Sequence, residues 1–270
     1  MAEEPDWVPP GIDIKRANVA RVYDYWLGGS HNFLADQDLG RAIAAVEPNI
    51  RIGARANRDF LGRAVRLLSQ AGIRQFLDIG SGIPTQGNVH EVVQRLDPDA
   101  RVVYADVDPV AIAHSKVILA GNQNAVIIDA DLREPEKILT SQAAGHLIDF
   151  SEPAGLLLVA VLHFISNAED PWRIVATLRD ALAPGSYLVL CHGANESRPA
   201  VAEATEKVYN RSVATEVHMR SRAQILRFFD GFDLVEPGLV YIPQWRPDSP
   251  GDVPSDPSKL WGLVGVGRKP

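Results

Sequence analysis

FLDIGSGIPT, residues 76–85, is a short apolar run that stops on two glycines separated by one residue. Apolar residues without alternation mark a strand covered on both faces, the habit of a parallel sheet. Glycines at 80 and 82 then let the chain turn tightly and let a ligand approach the backbone. An ordinary strand-to-helix turn is the plainer alternative, and two glycines alone do not decide between the two.

The same rhythm repeats downstream. RVVYADVD (101–108), AVIIDAD (125–131), GLLLVAVL (155–162) and SYLVLC (186–191) read as four further strands. Helices are predicted at about 86–96, 110–119 and 171–182, the last stopped by Pro184-Gly185. Parallel neighbours need long crossovers, so these five strands form a parallel sheet. Residues 198–229 read as helix in two pieces, with Ser221 and Gln224 as a capping box for the second. GFDLVEPGLVYI (231–242) and LWGLVGVGRK (260–269) close the chain as two more strands. A proline-rich loop and no helix joins them, which predicts an antiparallel pair at one edge.

Upstream, apolar stripes predict helices over 16–27, 36–46 and 54–71, ended by Gly28-Gly29, Pro48 and Gly72. Residues 1–14, with Pro5, Pro9 and Pro10 and no apolar period, read as a loose arm. The expected organisation is an arm over 1–14, a helical extension packed on the core over 15–72, and an α/β core over 73–270.

Composition narrows the function. Of 270 residues, 46% are apolar and 23% charged, so the chain can bury a core and is not disordered. A net charge of −7 disfavours phosphate backbones and anionic lipid, so neither nucleic acid nor membrane is expected as a partner. Cys191 is the single cysteine, which fits a reducing compartment. MAEEPDWVPP lacks the pattern of a signal peptide, and GLLLVAVLHFI is too short to span a bilayer. A cytoplasmic protein with a small-molecule partner is expected; the oligomeric state is left open.

Three strand-end acids, Asp78 just before the glycines, Asp106 and Asp131, point to a ligand at the glycine turn. Ligands of open parallel sheets bind beyond the carboxyl ends of the strands. Asp106 ends the second strand 24 residues after Gly82, where an acid can accept from both ribose hydroxyls. Asp131 ends the third, where a carboxylate can take the amine of adenine while the Leu132 N–H meets a ring nitrogen. Asp108, before Pro109, reads as a helix cap. Together the acids outline an adenosine pocket. A nicotinamide fingerprint would need glycine at 85, where Thr85 stands, and the phosphate-loop pattern GxxxxGK[ST] is absent.

Asp-x-Gly-x-Gly over 78–82, with VVYADVDP, DADL, VAVLHFI and LRDALAPGSYLVL, resembles class I S-adenosylmethionine-dependent methyltransferases over roughly 74–192. Pro84 departs from that pattern's third glycine. ARVYDYWLGGSHNF, ARANRDFL, QFLDIGSGIPTQGNVHE and VEPGLV carry a closer resemblance to a bacterial family of S-adenosyl methyltransferases of undefined substrate. The resemblance implies a doubly wound, mostly parallel seven-stranded sheet of the methyltransferase-type Rossmann-like kind. Its order is 3-2-1-4-5-7-6, with an N-terminal helical lid. It implies S-adenosylmethionine as cofactor, with Asp78, Gly80, Ser81 and Gly82 at the methionine part, Asp106 and Val107 at the ribose, and Asp131 and Leu132 at the adenine. By the same likeness Tyr23 reaches the cofactor's carboxylate, and Arg21 either pairs with it or forms a salt bridge.

His163, after the fourth strand, is the catalytic candidate. It is either a base for a hydroxyl acceptor or a histidine that packs beneath the cofactor. His192 is a weaker candidate, and Cys191 reads as a buried strand residue. The arginines at 51, 55, 58, 63 and 66 read mostly as a solvated helix face. No His/Cys/carboxylate set suggests a metal. The function expected is methyl transfer to an oxygen or nitrogen of a small molecule. A non-catalytic S-adenosylmethionine sensor is the alternative, and a nicotinamide oxidoreductase a third that Thr85 opposes.

Overall fold

Strand β1 (Gln75–Ile79) is buried at every residue and occupies the middle of the sheet. It pairs in parallel with β2 (Arg101–Asp106) on one side and β4 (Gly155–Val159) on the other. Beyond them lie β3 (Ala125–Asp129) and β5 (Tyr187–Gly193), also parallel. Strand β8 (Gly262–Arg268) runs antiparallel to β5, from Tyr187 opposite Arg268 to Gly193 opposite Gly262. Its other edge carries two short strands, β6 (Asp233–Leu234) and β7 (Val240–Tyr241). The order is β3-β2-β1-β4-β5-β8-β6, with β7 also on β8. This computed structural model describes residues 12–84, 87–213 and 215–270. Most of the expected arm, together with Thr85 and Gln86, lies outside them.

The sixth strand of the sequence reading is therefore split in two. Pro237 has no N–H for a ladder, and Gly238 turns at φ +82° with its N–H on the Val235 carbonyl at 2.9 Å. Counted as one, β6 and β7 give the seven-strand order expected.

Helices cover both faces. On one, α3 (Ile50–Gln70) turns Phe60, Leu61, Ala64, Val65 and Leu68 onto Phe76, Leu157 and Val189. Each large apolar side chain buried this way contributes about 1.5–3 kcal/mol. Helices α4 (Val89–Leu96) and α5 (Pro109–Ile118) share that face. Asp108 caps α5, accepting from the Ala111 N–H at 2.8 Å. The opposite face is covered by α8 (Pro171–Ala181), α10 (Arg222–Leu226) and two short helices, α6 (Pro135–Leu139) and α7 (Gln142–Leu147). The sequence reading placed no helix at α6 or α7, because neither is long enough to show an apolar period. Ser221 and Gln224 do form the expected box ahead of α10, with Ser221 N–H on Gln224 Oε1 at 3.0 Å.

A third apolar cluster sits above the carboxyl edge of the sheet. It joins α1 (Val19–Leu27), α2 (Leu34–Val46), the start of α3, and α9 (Pro199–Ser212) through Val22, Trp26, Ile43, Ile50, Tyr209 and Val213. Asn18 caps α1 through the Ala20 N–H at 2.7 Å, and Gly28 ends it at φ +84°. Arg21 is not at the surface. It forms a buried ion pair with Asp36 at 3.1 Å, and Asp36 also accepts from the Asn18 and Phe33 N–H groups at 2.8 Å each. A buried pair needs such extra hydrogen bonds to offset desolvation, and here they stitch α1 to α2. The loop after α1 is held similarly, with the His31 N–H and the Asn32 amide both on Asp24 Oδ2 at 2.9 Å.

Candidate active site

Beyond β1 the chain turns through Gly80 at φ +72° and Gly82 at φ +67°. A Cβ on Gly80 would lie 2.3 Å from Val161, so that position must stay bare. A Cβ on Gly82 would meet open space, and only its backbone conformation demands glycine. The Gly82 N–H donates to Asp106 Oδ2 at 2.7 Å, while Asp106 Oδ1 takes the Val107 and Asp108 N–H groups at 2.8 and 2.9 Å. Asp106 thus pins the glycine turn to the end of β2. Burial pushes its carboxyl up to about 6 against the pull of those N–H groups.

Asp78 is held differently. It is buried, lines the cavity, and makes no hydrogen bond to the protein among the described residues. Burial pushes its carboxyl up to about 7, Arg58 on α3 draws it down, and Asp106 adds a smaller upward push. Asp131 sits on the rim past β3. It accepts from the Arg133 N–H at 2.8 Å and pairs with the guanidinium at 3.3 Å. Arg133 also meets Glu169 at 2.5 Å and donates to the Phe164 carbonyl at 3.1 Å, tying the β3 exit to the β4 exit.

The β4 exit carries His163 on a 3₁₀ turn over Leu162–Phe164. Neither ring nitrogen has a protein partner among the described residues, and Nδ1 is wholly buried. Burial, then the charges of Arg220 and His218, holds the ring down to about 3, so it is neutral at ordinary pH. His192 lies behind it, edge-on with ring centres 5.6 Å apart. Its Nδ1 is 2.8 Å from the Gly193 carbonyl and its Nε2 2.8 Å from Arg220. A guanidinium can only donate, so Nε2 accepts and Nδ1 carries the hydrogen. Burial, then His163 and Arg220, hold His192 well below its usual range, against the pull of the Gly193 carbonyl.

Arg220, only 1% exposed, organises this end. It donates to the Leu162 and Ile165 carbonyls at 3.0 and 2.7 Å, to Asn167 Oδ1 at 2.9 Å, and to His192. Trp172 and Phe228 pack against it, with ring centres 5.4 and 5.7 Å from the guanidinium carbon. Burial lowers it only to about 10, so it stays charged. No carboxylate is among these partners; neutral acceptors alone offset the burial of this cation. The result is a fixed 162–167 segment and two histidines that resist protonation.

One cavity of about 210 Å³ runs between these ends. Its floor is the strand exits, and its roof is three helical stripes. Val19, Ala20, Tyr23 and Trp26 come from α1; Ile50, Asn57, Arg58 and Leu61 from α3; Val201, Ala202, Thr205 and Tyr209 from α9, with Arg198 just ahead of it. The spacings of three and four put each set on one helix face. Tyr23, Asp78, Gly80, Ser81, Gly82, Asp106, Val107, Asp131, Leu132 and His163 all line this cavity, whereas His192 does not.

Tyr23, expected at the cofactor's carboxylate, lines the cavity and also ties two helices together. Its hydroxyl donates to the Ala54 carbonyl at 3.0 Å and accepts from Asn57 at 2.9 Å, joining α1 to α3. Burial pushes it up to about 12. Of the five arginines read as a solvated face, Arg58 lines the cavity. Arg63 donates to the Trp245 carbonyl at 3.0 Å and Arg66 pairs with Asp248 at 3.2 Å, both far along the chain. Sequence reasoning also missed Arg133, Arg220 and the α9 stripe. Only the stripe left a trace, in the spacing of Val201, Ala202, Thr205 and Tyr209. Cys191 is wholly buried, and no group of three or more metal-ligating side chains occurs among the described residues.

A family model described as S-adenosyl methyltransferase matches residues 5–270. A Thermobifida fusca protein provisionally described as a methyltransferase has a similar crystal structure, with TM-score 0.92 and 43% identity over 98% of this chain and 99% of its own. A DUF574 family protein from Streptomyces avermitilis gives TM-score 0.91 and 36% identity, over 96% of this chain and 99% of its own. The pyocyanin biosynthetic protein PhzM shares the fold at TM-score 0.51 and 18% identity, over 87% of this chain and 61% of its own. No curated protein matches.

Proposed function

This chain belongs to the S-adenosyl methyltransferase family, and from that premise we propose that it methylates an oxygen or nitrogen of a small molecule. Its cofactor is S-adenosylmethionine, which supplies an electrophilic methyl group on a sulfonium. The observation that carries the finer reading is the convergence of a glycine turn, three strand-end acids and a neutral histidine on one cavity.

The residues present fit the cofactor. Asp78 is a buried carboxylate that makes no hydrogen bond among the described residues, suited to the ammonium of an amino-acid tail. The Ser81 hydroxyl is likewise buried without a partner beside it. Gly80 and Gly82 offer bare backbone. Asp106 keeps lone pairs for ribose hydroxyls while it holds the turn, with Val107 beside it; Asp131 and the Leu132 N–H take the adenine edge. Arg58 faces the same end and suits the tail's carboxylate.

His163 orients the acceptor. A ring held near 3 is a poor resting base but a good neutral hydrogen-bond partner. Residues 15–72 act as a lid on the 73–270 core, with Tyr23 fastening α1 to α3. A net charge of −7 supports a small-molecule partner over nucleic acid, and the lone buried cysteine supports the cytoplasm. Among the described residues no helix is long and apolar enough to cross a membrane.

Calorimetry tests the reading. S-adenosylmethionine and S-adenosylhomocysteine should both bind, while NAD gives no heat. Binding of NAD with no response to S-adenosylmethionine would overturn it.

A further inference from the structure

We propose that the acceptor is an uncharged aromatic compound bearing a hydroxyl group, seated between the α9 stripe and the rings beside His163. The inference rests on the methyltransferase reading above and concerns the half of the cavity beyond β4.

Charge comes first. The acids and arginines at the β1, β2 and β3 exits belong to the cofactor end. Past β4 the charged side chains lining the cavity are Glu47 and Arg198, and they form an ion pair with each other. Arg220 lies behind the histidines with its donors engaged. A carboxylate acceptor would lose its water and find no cation for it. An ammonium would meet Arg220 nearby and no carboxylate left over. Desolvating an ion without a counter-charge is strongly unfavourable, so a neutral acceptor is selected.

The walls then favour a flat ring. On the lid side Trp26 and Tyr209 meet edge to face, 6.2 Å between centres. On the floor side His163 is 4.4 Å from Phe164 and edge-on to Trp261 at 5.9 Å. Ring edges and faces on both sides suit an aromatic ligand through edge-to-face and offset contacts.

Hydrogen bonding supplies the hydroxyl. His163 Nε2 and the Tyr209 hydroxyl make no hydrogen bond to the protein among the described residues, and both residues line the cavity. Polar groups left so beside a cavity can take a ligand as partner. A hydroxyl both donates and accepts, so it satisfies His163 in either tautomer.

The test is calorimetry on the full chain saturated with S-adenosylhomocysteine, using three probes on one ring system: naphthol, naphthoate and naphthylmethylamine. Naphthol should bind at least about tenfold more tightly than either charged probe. Ala202→Phe fills the α9 stripe and should weaken naphthol by about tenfold or more while S-adenosylhomocysteine affinity stays within about threefold. Val201→Phe, half-buried on the same face, is the second variant, and one of the two must block naphthol. A charged probe that binds as well as naphthol, the failure of all three, or naphthol binding unmoved in both variants overturns the acceptor inference alone. Failure of S-adenosylhomocysteine to bind the unmodified chain removes the methyltransferase reading and the acceptor inference with it.

Discussion

Asp78 at one end of the cavity and His163 at the other are both buried, yet burial moves them in opposite directions among different neighbours. Asp78 rises from 3.8 to about 7, with Arg58 facing it. His163 falls from 6.5 to about 3, with Arg220 and His218 beside it. The stability consequences have opposite signs. Between pH 4 and 7 the unfolded Asp78 has lost its proton while the native one keeps it, so its contribution falls as pH rises and is flat above 7. Between 6.5 and 3 the unfolded His163 binds a proton the native one refuses, so its contribution falls as pH drops. The acid end is relieved by a ligand that brings a cation and hydrogen-bond donors. The histidine end is already at rest at neutral pH. One end is built to receive charge and the other to stay without it.

The largest effect expected from breaking this contrast is at Arg220. Arg220→Met leaves two carbonyls, Asn167 Oδ1 and His192 Nε2 without their donor. With about 1–3 kcal/mol per unpaired buried group and incomplete additivity, the loss should be about 3–5 kcal/mol in urea unfolding. His163 and His192 should also move up in NMR titrations, while burial, the larger cause, keeps both below the ordinary imidazole range. Arg220→Lys, which keeps the charge, should leave them low. A stable Arg220→Met protein with unmoved histidines would remove Arg220 as the organiser of that end.

Next in size is Asp106→Ala. The carboxylate holds three backbone N–H groups and, in the proposed arrangement, accepts from the ribose. Affinity for S-adenosylhomocysteine should drop by about 2–4 kcal/mol, roughly 30- to 1000-fold. Calorimetry on a variant with native circular dichroism decides it, and unchanged affinity would take Asp106 out of the site.

Asp78→Asn sharpens the comparison because its two effects oppose. Removing a buried charge that Arg58 only partly offsets should stabilise the ligand-free protein at pH 8 by about 1–3 kcal/mol. The same change should weaken S-adenosylhomocysteine by about 1.5–3 kcal/mol. A variant less stable than the parent at pH 8 would mean that the Asp78 carboxylate is already compensated.

The two ends also differ in how far they could be read from sequence. Asp78, Gly80, Gly82, Asp106 and Asp131 stand at the exits of consecutive strands, so strand rhythm and residue spacing locate them without knowledge of packing. Arg220 was invisible because its partners at 162, 165, 167 and 192 come from distant parts of the chain and meet only after the sheet closes. Arg58 was hidden for a related reason. Five arginines on one long helix look alike until α1 and the sheet decide which of them turns inward. Tyr23 was placed at the cavity by likeness, but its hydroxyl partners, Ala54 and Asn57, are set by how α1 lies across α3. Strand direction followed from connection lengths, whereas strand order came from the family likeness; the short helices α6 and α7 carried too few residues to show a period.

Carbon-13 NMR of labelled aspartate and histidine, across pH and with or without S-adenosylhomocysteine, tests the contrast most directly. The ligand-free protein should show Asp78 titrating near pH 7, and saturation should carry that step well below it as the ammonium arrives. His163 should stay neutral down to pH 5 in both states. An Asp78 that titrates near 4 and ignores the ligand, or a His163 that protonates near 6.5, would contradict the account.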